Sequence, residues 1–165
     1  MPDAIDDHQC TWIDARELGI GGRGWDESLL ASPYDRLPAR VLEQLPEGVA
    51  VLGQQSAGLW VDFASDATAI HGRWRFHSDA FTACSYETML SGCGLDCYGR
   101  DRHDRWRWVG ACGALDGSPY TGCLNRGCLD GCFRHYRIYL PQRYRLAELA
   151  IGVPTAARLE TVPTD

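Results

Sequence analysis

Residues 70–77, IHGRWRFH, constrain the fold more than any other stretch, because apolar and polar positions alternate there without interruption. Successive side chains of a β-strand point to opposite faces, so a period of two predicts a strand with one apolar and one basic face. The apolar face would carry Ile70, Gly72, Trp74 and Phe76, and the basic face would carry His71, Arg73, Arg75 and His77. Such a strand is typical of an antiparallel sheet with one buried face.

The same alternation recurs along the chain. The predicted strands are residues 49–52, 59–63, 95–98, 106–109, 136–140 and 149–153. The pair 95–98 and 106–109 flanks a polar loop and predicts a β-hairpin. One short helix is expected at residues 37–45, with Pro38 in its first turn. Many short strands with at most one short helix predict an all-β fold, an antiparallel β-sandwich of jelly-roll-like form.

The segments between these strands set the expected domain limits. Residues 78–91 read as a long connection, and residues 111–132, rich in glycine and cysteine, as an irregular loop. We expect a disordered tail at residues 1–11, one β-sandwich domain at 12–153 and a linker-like tail at 154–165. A chain of 165 residues suits one such domain.

Charge and hydropathy exclude several classes of partner. The net charge of −6 argues against nucleic acid. No apolar run approaches the ~20 residues that span a bilayer, so no membrane is expected. Residues 1–9 are acidic and polar, the reverse of a secretory signal, which favours the cytoplasm and otherwise leaves the compartment open.

The hairpin also carries a family resemblance. GLDCY, which contains Gly94, Asp96 and Tyr98, is followed by RWRWVG and resembles the GxDLY signature of the N-terminal domain of SGNH-hydrolase-type esterases. Further segments resemble the same domain in the family's order, from residue 12 to 154: ELGIGGRGW, SPYDRLPAR, QSAGLWVDF with AIHGRWRF, and YRIYLP followed by ELAIGVP. Cys97 stands where the signature has Leu.

The resemblance implies a β-sandwich placed ahead of a separate catalytic domain. Such a module would help to bind substrate, an acylated carbohydrate, or would dock on the hydrolase domain and shape its active-site mouth. Its partner would be an SGNH catalytic domain in cis or in trans. The family's catalytic Ser lies in a Gly-Asp-Ser-like block, and its Asp and His lie near the end. Neither block occurs in this sequence, so we expect the chain alone to be non-catalytic.

Ser56 is the weak catalytic candidate. GQQSAG is similar to a nucleophile elbow, but that motif needs Gly two residues before Ser, and Gln54 stands there. A turn serine between two strands is the favoured interpretation. A small autonomous ester hydrolase that uses Ser56, or a cysteine, with His71 or His77 remains the alternative.

Basic and aromatic residues are the ligand-binding candidates. His71, Arg73 and Arg75 could bind a carboxylate, a sugar acid or a partner domain, or could form a solvated face paired with acids. Trp106 and Trp108 could stack on a sugar ring, although burial in the core is favoured for them, as for Trp60 and Trp74. Asp96 and Tyr98 are expected to be structural, with an inward Asp96 that accepts backbone hydrogen bonds.

Eight cysteines leave a third alternative, a metal- or disulfide-stabilised interaction domain. No C-x-x-C motif occurs, and Cys93 and Cys97 would lie roughly 13 Å apart on a regular strand, too far for a disulfide or a shared metal. Cys123, Cys128 and Cys132 could converge with Cys112, His103 or His135 as zinc ligands. Free thiols are favoured, disulfides stay open, and no cofactor is expected.

Overall fold

The computed structural model describes residues 9–78, 92–113, 119–125 and 129–163. Its strands are β1 (Cys10–Asp14), β2 (Ile20–Gly21), β3 (Trp60–Ser65), β4 (Ile70–Phe76), β5 (Leu95–Arg100), β6 (Trp106–Cys112), β7 (Tyr120–Asn125), β8 (Arg134–Tyr139), β9 (Leu146–Pro154) and β10 (Leu159–Thr161). Its helices are α1 (Ala15–Leu18), α2 (Ala39–Leu42), α3 (Glu47–Gly53) and a 3-10 turn at Glu27–Leu29. None of the described helices is long and apolar enough to cross a membrane.

The strands form two antiparallel sheets. The smaller sheet has the order β1-β9-β4-β7, and the larger has the order β10-β3-β8-β5-β6, with β2 also paired to β3. The predicted hairpin is present as β5 and β6, which pair antiparallel with a register shift between Cys97 and Tyr98. The predicted all-β antiparallel sandwich is confirmed.

The hydrophobic core lies between the two sheets, as the alternation of apolar and polar residues in the strands predicted. Trp74 and Ile70 on β4 are fully buried, and Leu95 on β5 is buried opposite them. The indole Nε1 of Trp74 donates a hydrogen bond to the carbonyl oxygen of Cys93 at 3.0 Å. The largest core side chain therefore has its polar atom satisfied while its ring excludes water.

One edge of the sandwich is closed by a close approach of β6 to β7, which belong to different sheets. A methyl group placed on Gly110 would lie 1.8 Å from the carbonyl oxygen of Leu124. Glycine is therefore the residue that this crossing accommodates. The contact draws the end of the hairpin against the smaller sheet.

The described residues include the three short α-helices α1, α2 and α3, where the sequence predicted at most one. The expected helix at residues 37–45 contains α2, preceded by Pro38. Residues 49–52, predicted as a strand, lie in α3, which follows Pro46 in the same way. The backbone N–H groups of Val49 and Ala50 both donate to the carbonyl of Pro46, so the helical turn starts at the proline despite the β-branched residues that follow.

Three segments that the sequence predicted to be irregular contain strand residues. β7 lies within residues 111–132 and pairs with β4. Its residues Tyr120 and Leu124 are buried, although glycine and cysteine interrupt the apolar pattern between them. β10 lies within the expected linker 154–165 and pairs with β3, while β1 begins at Cys10, inside the expected tail. The predicted connection 78–91 falls almost entirely outside the described residues.

Candidate functional site

The predicted ligand-binding residues lie on two different sheets. His71, Arg73 and Arg75 stand on the outward side of β4 in the smaller sheet. Trp106 and Trp108 belong to β6, which lies at one end of the larger sheet as described. The structure therefore does not bring these five residues together in one site, and each group has to be considered with its own neighbours.

The basic residues of β4 are engaged by their own sheet. The guanidinium carbon of Arg73 lies 4.0 Å from the ring centroid of Trp12. Arg75 donates to both carboxylate oxygens of Glu148, at 3.2 and 2.5 Å. Burial lowers the pKa of His71. These contacts favour the interpretation of a solvated face whose basic side chains pair within the sheet over the interpretation of an anion-binding patch.

The outward side of the larger sheet carries a more elaborate surface. Strand pairing aligns Trp60, Tyr139 and Asp96 in one row across β3, β8 and β5. We call this surface the aromatic face. It consists of Trp60, Asp62, Asp96, Tyr98, Arg100, Trp106, Trp108, His135, Arg137 and Tyr139, from β3, β5, β6 and β8.

The tryptophans correct the expectation that all four lie in the core. Trp74 alone of the four is fully buried; Trp60 and Trp106 are half-buried on the aromatic face, and Trp108 is 63% exposed. The exposure of Trp106 and Trp108 follows from their position in the sheet, because both side chains point away from the smaller sheet. The inward position of β6, where the two sheets meet, is occupied by Gly110.

Arg137 holds the aromatic face together. It donates to Asp62 from Nε at 2.8 Å and from Nη2 at 2.7 Å, and Asp62 is 1% exposed. The same guanidinium lies 4.2 Å from the ring centroid of Trp60 and 5.0 Å from that of Trp106. A planar cation fixed by a buried carboxylate and stacked on two indoles restricts the motion of both rings.

The residues of the GxDLY-like signature meet at a surface pocket. The pocket has a volume of about 230 Å³ and is lined by Gly58, Gly94, Asp96, Tyr98, Tyr139, Leu140 and Gln142. We call it the signature pocket. The rings of Tyr98 and Tyr139 meet edge to face at 5.7 Å, and the indole Nε1 of Trp108 donates to Asp96 Oδ1 at 3.5 Å.

This placement corrects the expected inward orientation of Asp96. Asp96 and Tyr98 are both half-buried and line the surface pocket, whereas the inward positions of β5 are Leu95 and Cys97. Sequence reasoning did not find Tyr139 or Gln142 as pocket residues. The alternation of β8 does place Tyr139 opposite the buried Ile138, but only the pairing of β8 with β5 brings it to Asp96.

Ser56 has a structural role in the described geometry. It is fully buried between α3 and β3, and its Oγ donates to the carbonyl oxygen of Pro141 at 2.7 Å. A different serine approaches a histidine: Ser32 Oγ lies 3.5 Å from Nε2 of His77, beside a second polar pocket. That separation is long for a hydrogen bond, and burial and Arg145 lower the pKa of His77.

The cysteine candidates do not assemble a metal site within the described part of the chain. No group of three or more His, Cys, Asp or Glu side chains suited to a metal occurs there. Cys128 lies outside the described residues, so the proposed set Cys123, Cys128 and Cys132 is only partly visible. Burial raises the pKa of Cys97, and it raises the pKa of Cys112 to about 12.

The sequence and the fold of this chain are similar to those of known proteins. The family model described as "GxDLY: N-terminus of Esterase_SGNH_hydro-type" matches residues 10–159. A protein described as a GDSL-like lipase from Bacteroides ovatus has a similar structure, with a TM-score of 0.83 and 24% identity over 94% of this chain and 44% of that one. The salicylyl-acyltransferase SsfX3 from a tetracycline biosynthetic pathway is similar with a TM-score of 0.58 and 13% identity, over 98% of this chain and 41% of that one.

Both likenesses concern the fold, and this chain spans less than half the length of either structure. No curated protein matches. The family match covers most of the chain, includes β1 to β9 and ends at the first residue of β10. The protein therefore belongs to the family of GxDLY-type N-terminal domains of SGNH-hydrolase-type esterases.

Proposed function

We propose that this chain is a non-catalytic module that binds the carbohydrate part of an acylated substrate on behalf of an SGNH hydrolase domain. The observation that supports it is the position of the signature residues. Gly94, Asp96 and Tyr98 line a surface pocket and do not point into the hydrophobic core. Next to this pocket lies Trp108, whose ring is largely exposed.

The chemistry of the aromatic face suits a sugar. The apolar face of a pyranose stacks on an exposed indole such as that of Trp108. Sugar hydroxyl groups can donate to the Asp96 carboxylate and exchange hydrogen bonds with the Gln142 amide, which both border the pocket. Arg137 restrains the neighbouring rings of Trp60 and Trp106, so these two rings lose little side-chain entropy where the ligand also contacts them.

The hydrolase domain would supply the nucleophile. The hydroxyl of Ser56 is occupied by a backbone carbonyl, and the module would act by holding substrate at the mouth of a separate active site. The partner domain could be linked in cis or could associate in trans, and the proposal is the same for both.

A binding titration tests this proposal. We would measure binding by isothermal titration calorimetry while adding acetylated xylotetraose and its deacetylated form. Trp108→Ala should weaken binding by about tenfold or more, because a stacked aromatic anchor is lost. Trp25→Ala, which removes another exposed indole outside the aromatic face, is the matched control and should bind normally. Equal affinity in Trp108→Ala and wild type, or no binding of any such sugar, would overturn the proposal.

Docking on the hydrolase domain is the second candidate. Five exposed large apolar side chains come from the helical segment between residues 25 and 52: Trp25, Leu29, Val49, Val51 and Leu52. Covering apolar surface is favourable by roughly 25 cal/mol per Å², so these side chains favour a protein contact. Sedimentation of the chain with an SGNH hydrolase domain tests it, and Val51→Asp should weaken any complex that uses α3.

The enzyme alternative has its own test. Our proposal expects the purified chain not to hydrolyse a simple aryl acetate above background. Ser56→Ala and Ser32→Ala should be assayed beside the wild type, since Ser32 is the serine observed next to a histidine. Turnover that either substitution abolishes would make the chain an esterase in its own right.

A further inference from the structure

Asp96 differs from the other carboxylates on its side of the molecule. Those carboxylates are paired with arginines, as Asp62 with Arg137, Asp101 with Arg105 and Arg107, and Asp104 with Arg100. Within the described residues, the contact recorded for Asp96 is the 3.5 Å approach of the Trp108 indole. A neutral indole N–H at that distance leaves most of the acceptor capacity of a carboxylate unused.

The nearest part of the aromatic face does not supply the missing cation. Arg137 lies next to Tyr98 in the sheet, but its Nε and Nη2 both donate to Asp62. Its flat surface is covered by Trp60 and Trp106. Reaching Asp96 would break a two-point ion pair with a buried carboxylate, which is strongly unfavourable.

The rest of the described pocket lining leaves the charge of Asp96 unopposed. The side chains of Tyr98, Tyr139 and Gln142 are polar and uncharged, and no Lys, Arg or His among the described residues lines the pocket. Aromatic rings present a negative face, so rings grouped around a carboxylate attract cations. A volume of about 230 Å³ is below that of typical drug-sized sites and suits one side-chain-sized group.

From this combination we infer that the signature pocket is a subsite for a cationic guanidinium or ammonium group, with Asp96 as its counter-charge. The inference deepens the proposed function and rests on it for the source of the cation. That source is either an arginine or lysine side chain of the hydrolase domain or the amino group of an amino sugar in the substrate.

Charged ligands and neutral analogues of similar shape provide the test. N-acetylarginine amide is compared with N-acetylcitrulline amide, and glucosamine with N-acetylglucosamine, at constant ionic strength. Binding is followed through the indole N–H of Trp108, which contacts Asp96. We expect each cation to bind about tenfold more tightly than its neutral analogue, as a charge-assisted hydrogen bond provides.

Asp96→Asn should remove this preference while keeping the shape of the side chain. Asp104→Asn is the matched control: it removes the same charge from an exposed residue whose positive φ of 59° asparagine tolerates well. A preference for arginine amide over glucosamine would identify a protein side chain as the source, and the reverse would identify an amino sugar.

Equal binding of cations and neutral analogues by the wild type would overturn the inference without any mutant, and so would a preference that survives in Asp96→Asn. The two proposals fail separately. If neutral xylotetraose does not bind but the cation preference is present, the sugar-binding proposal fails and the cation subsite stands.

Discussion

The Asp62 carboxylate and the Arg137 guanidinium form a two-point ion pair between neighbouring strands of the larger sheet, with N–O distances of 2.8 and 2.7 Å. The carboxylate is almost completely removed from solvent, whereas the arginine reaches the surface and stacks on Trp60. One interaction therefore connects the most buried charge of the described sheet to the aromatic face above it.

Removing the arginine should destabilise the fold. Arg137→Leu leaves the Asp62 carboxylate buried without its partner, which typically costs about 3–5 kcal/mol. Arg75→Leu breaks the exposed pair with Glu148 and should cost less than about 1 kcal/mol. Urea unfolding followed by tryptophan fluorescence compares the free energies of unfolding of the two variants.

The double variant Asp62→Leu, Arg137→Leu distinguishes two causes of destabilisation. One is the loss of the ion-pair attraction, and the other is the cost of leaving the Asp62 carboxylate buried without a partner. Because no buried carboxylate remains, the double variant should recover much of the stability lost in Arg137→Leu. Similar losses in Arg137→Leu and Arg75→Leu would contradict the assigned importance of the buried pair.

Three partly buried histidines predict a loss of stability in mild acid. Burial is the first cause that lowers the pKa of His71, His77 and His135 below the ordinary value of 6.5. Between the lowered pKa and 6.5 the unfolded chain binds more protons than the folded one, so the free energy of unfolding decreases as the pH falls through that window.

Unfolding should therefore be measured between pH 7.5 and 5, above the ordinary pKa values of Asp and Glu side chains. For His135 the attraction of Asp62 partly opposes burial, while Arg100 and Arg137 reinforce it. His135→Gln should flatten the decrease, because glutamine does not titrate. Stability that is constant across this window in the wild type would show that these histidines are accessible to protons in the folded state.

Much of the fold could be predicted because burial leaves a periodic signal. In β4 every second residue is buried, so the pattern at residues 70–77 specified both the strand and its inward face. The hairpin could be located for the same reason. β7 could not, because glycine and cysteine interrupt the apolar positions around Tyr120 and Leu124, and its strand character depends on pairing with β4.

The candidate site was less accessible to sequence reasoning, because a periodic pattern assigns residues to two faces without saying which face is outward. The pattern grouped Trp106 with Trp108 correctly, but an aromatic pair suggested the core, and the structure places Trp108 in solvent. The signature pocket needs the pairing of β5 with β8, which joins residues 43 positions apart, Asp96 and Tyr139. No local motif contains that information.

Thiol reactivity should follow burial. Cys97 is fully buried and its pKa is raised chiefly by that burial, whereas Cys132 is exposed. Since the thiolate is the reactive form, an aromatic disulfide reagent at pH 8 should label Cys132 quickly and Cys97 only after unfolding. Mass spectrometry of peptides from the native and denatured protein identifies each site. Equally rapid labelling of Cys97 in the native protein would show that the sheets open readily at this position.

Glycine substitutions test the contact between the two sheets. Gly110→Ala places a methyl group 1.8 Å from the carbonyl oxygen of Leu124, and neither backbone can move without disturbing its own strand pairing. We expect a loss of at least about 1–3 kcal/mol in unfolding free energy, the usual cost of overpacking. Gly48→Ala is the matched control: it lies in α3 with no atom near the added methyl group, and it should stabilise the protein by about 0.5–1 kcal/mol. If Gly110→Ala unfolds at the same urea concentration as the wild type, β6 and β7 do not meet as closely as described, and the edge of the sandwich beside the aromatic face is open.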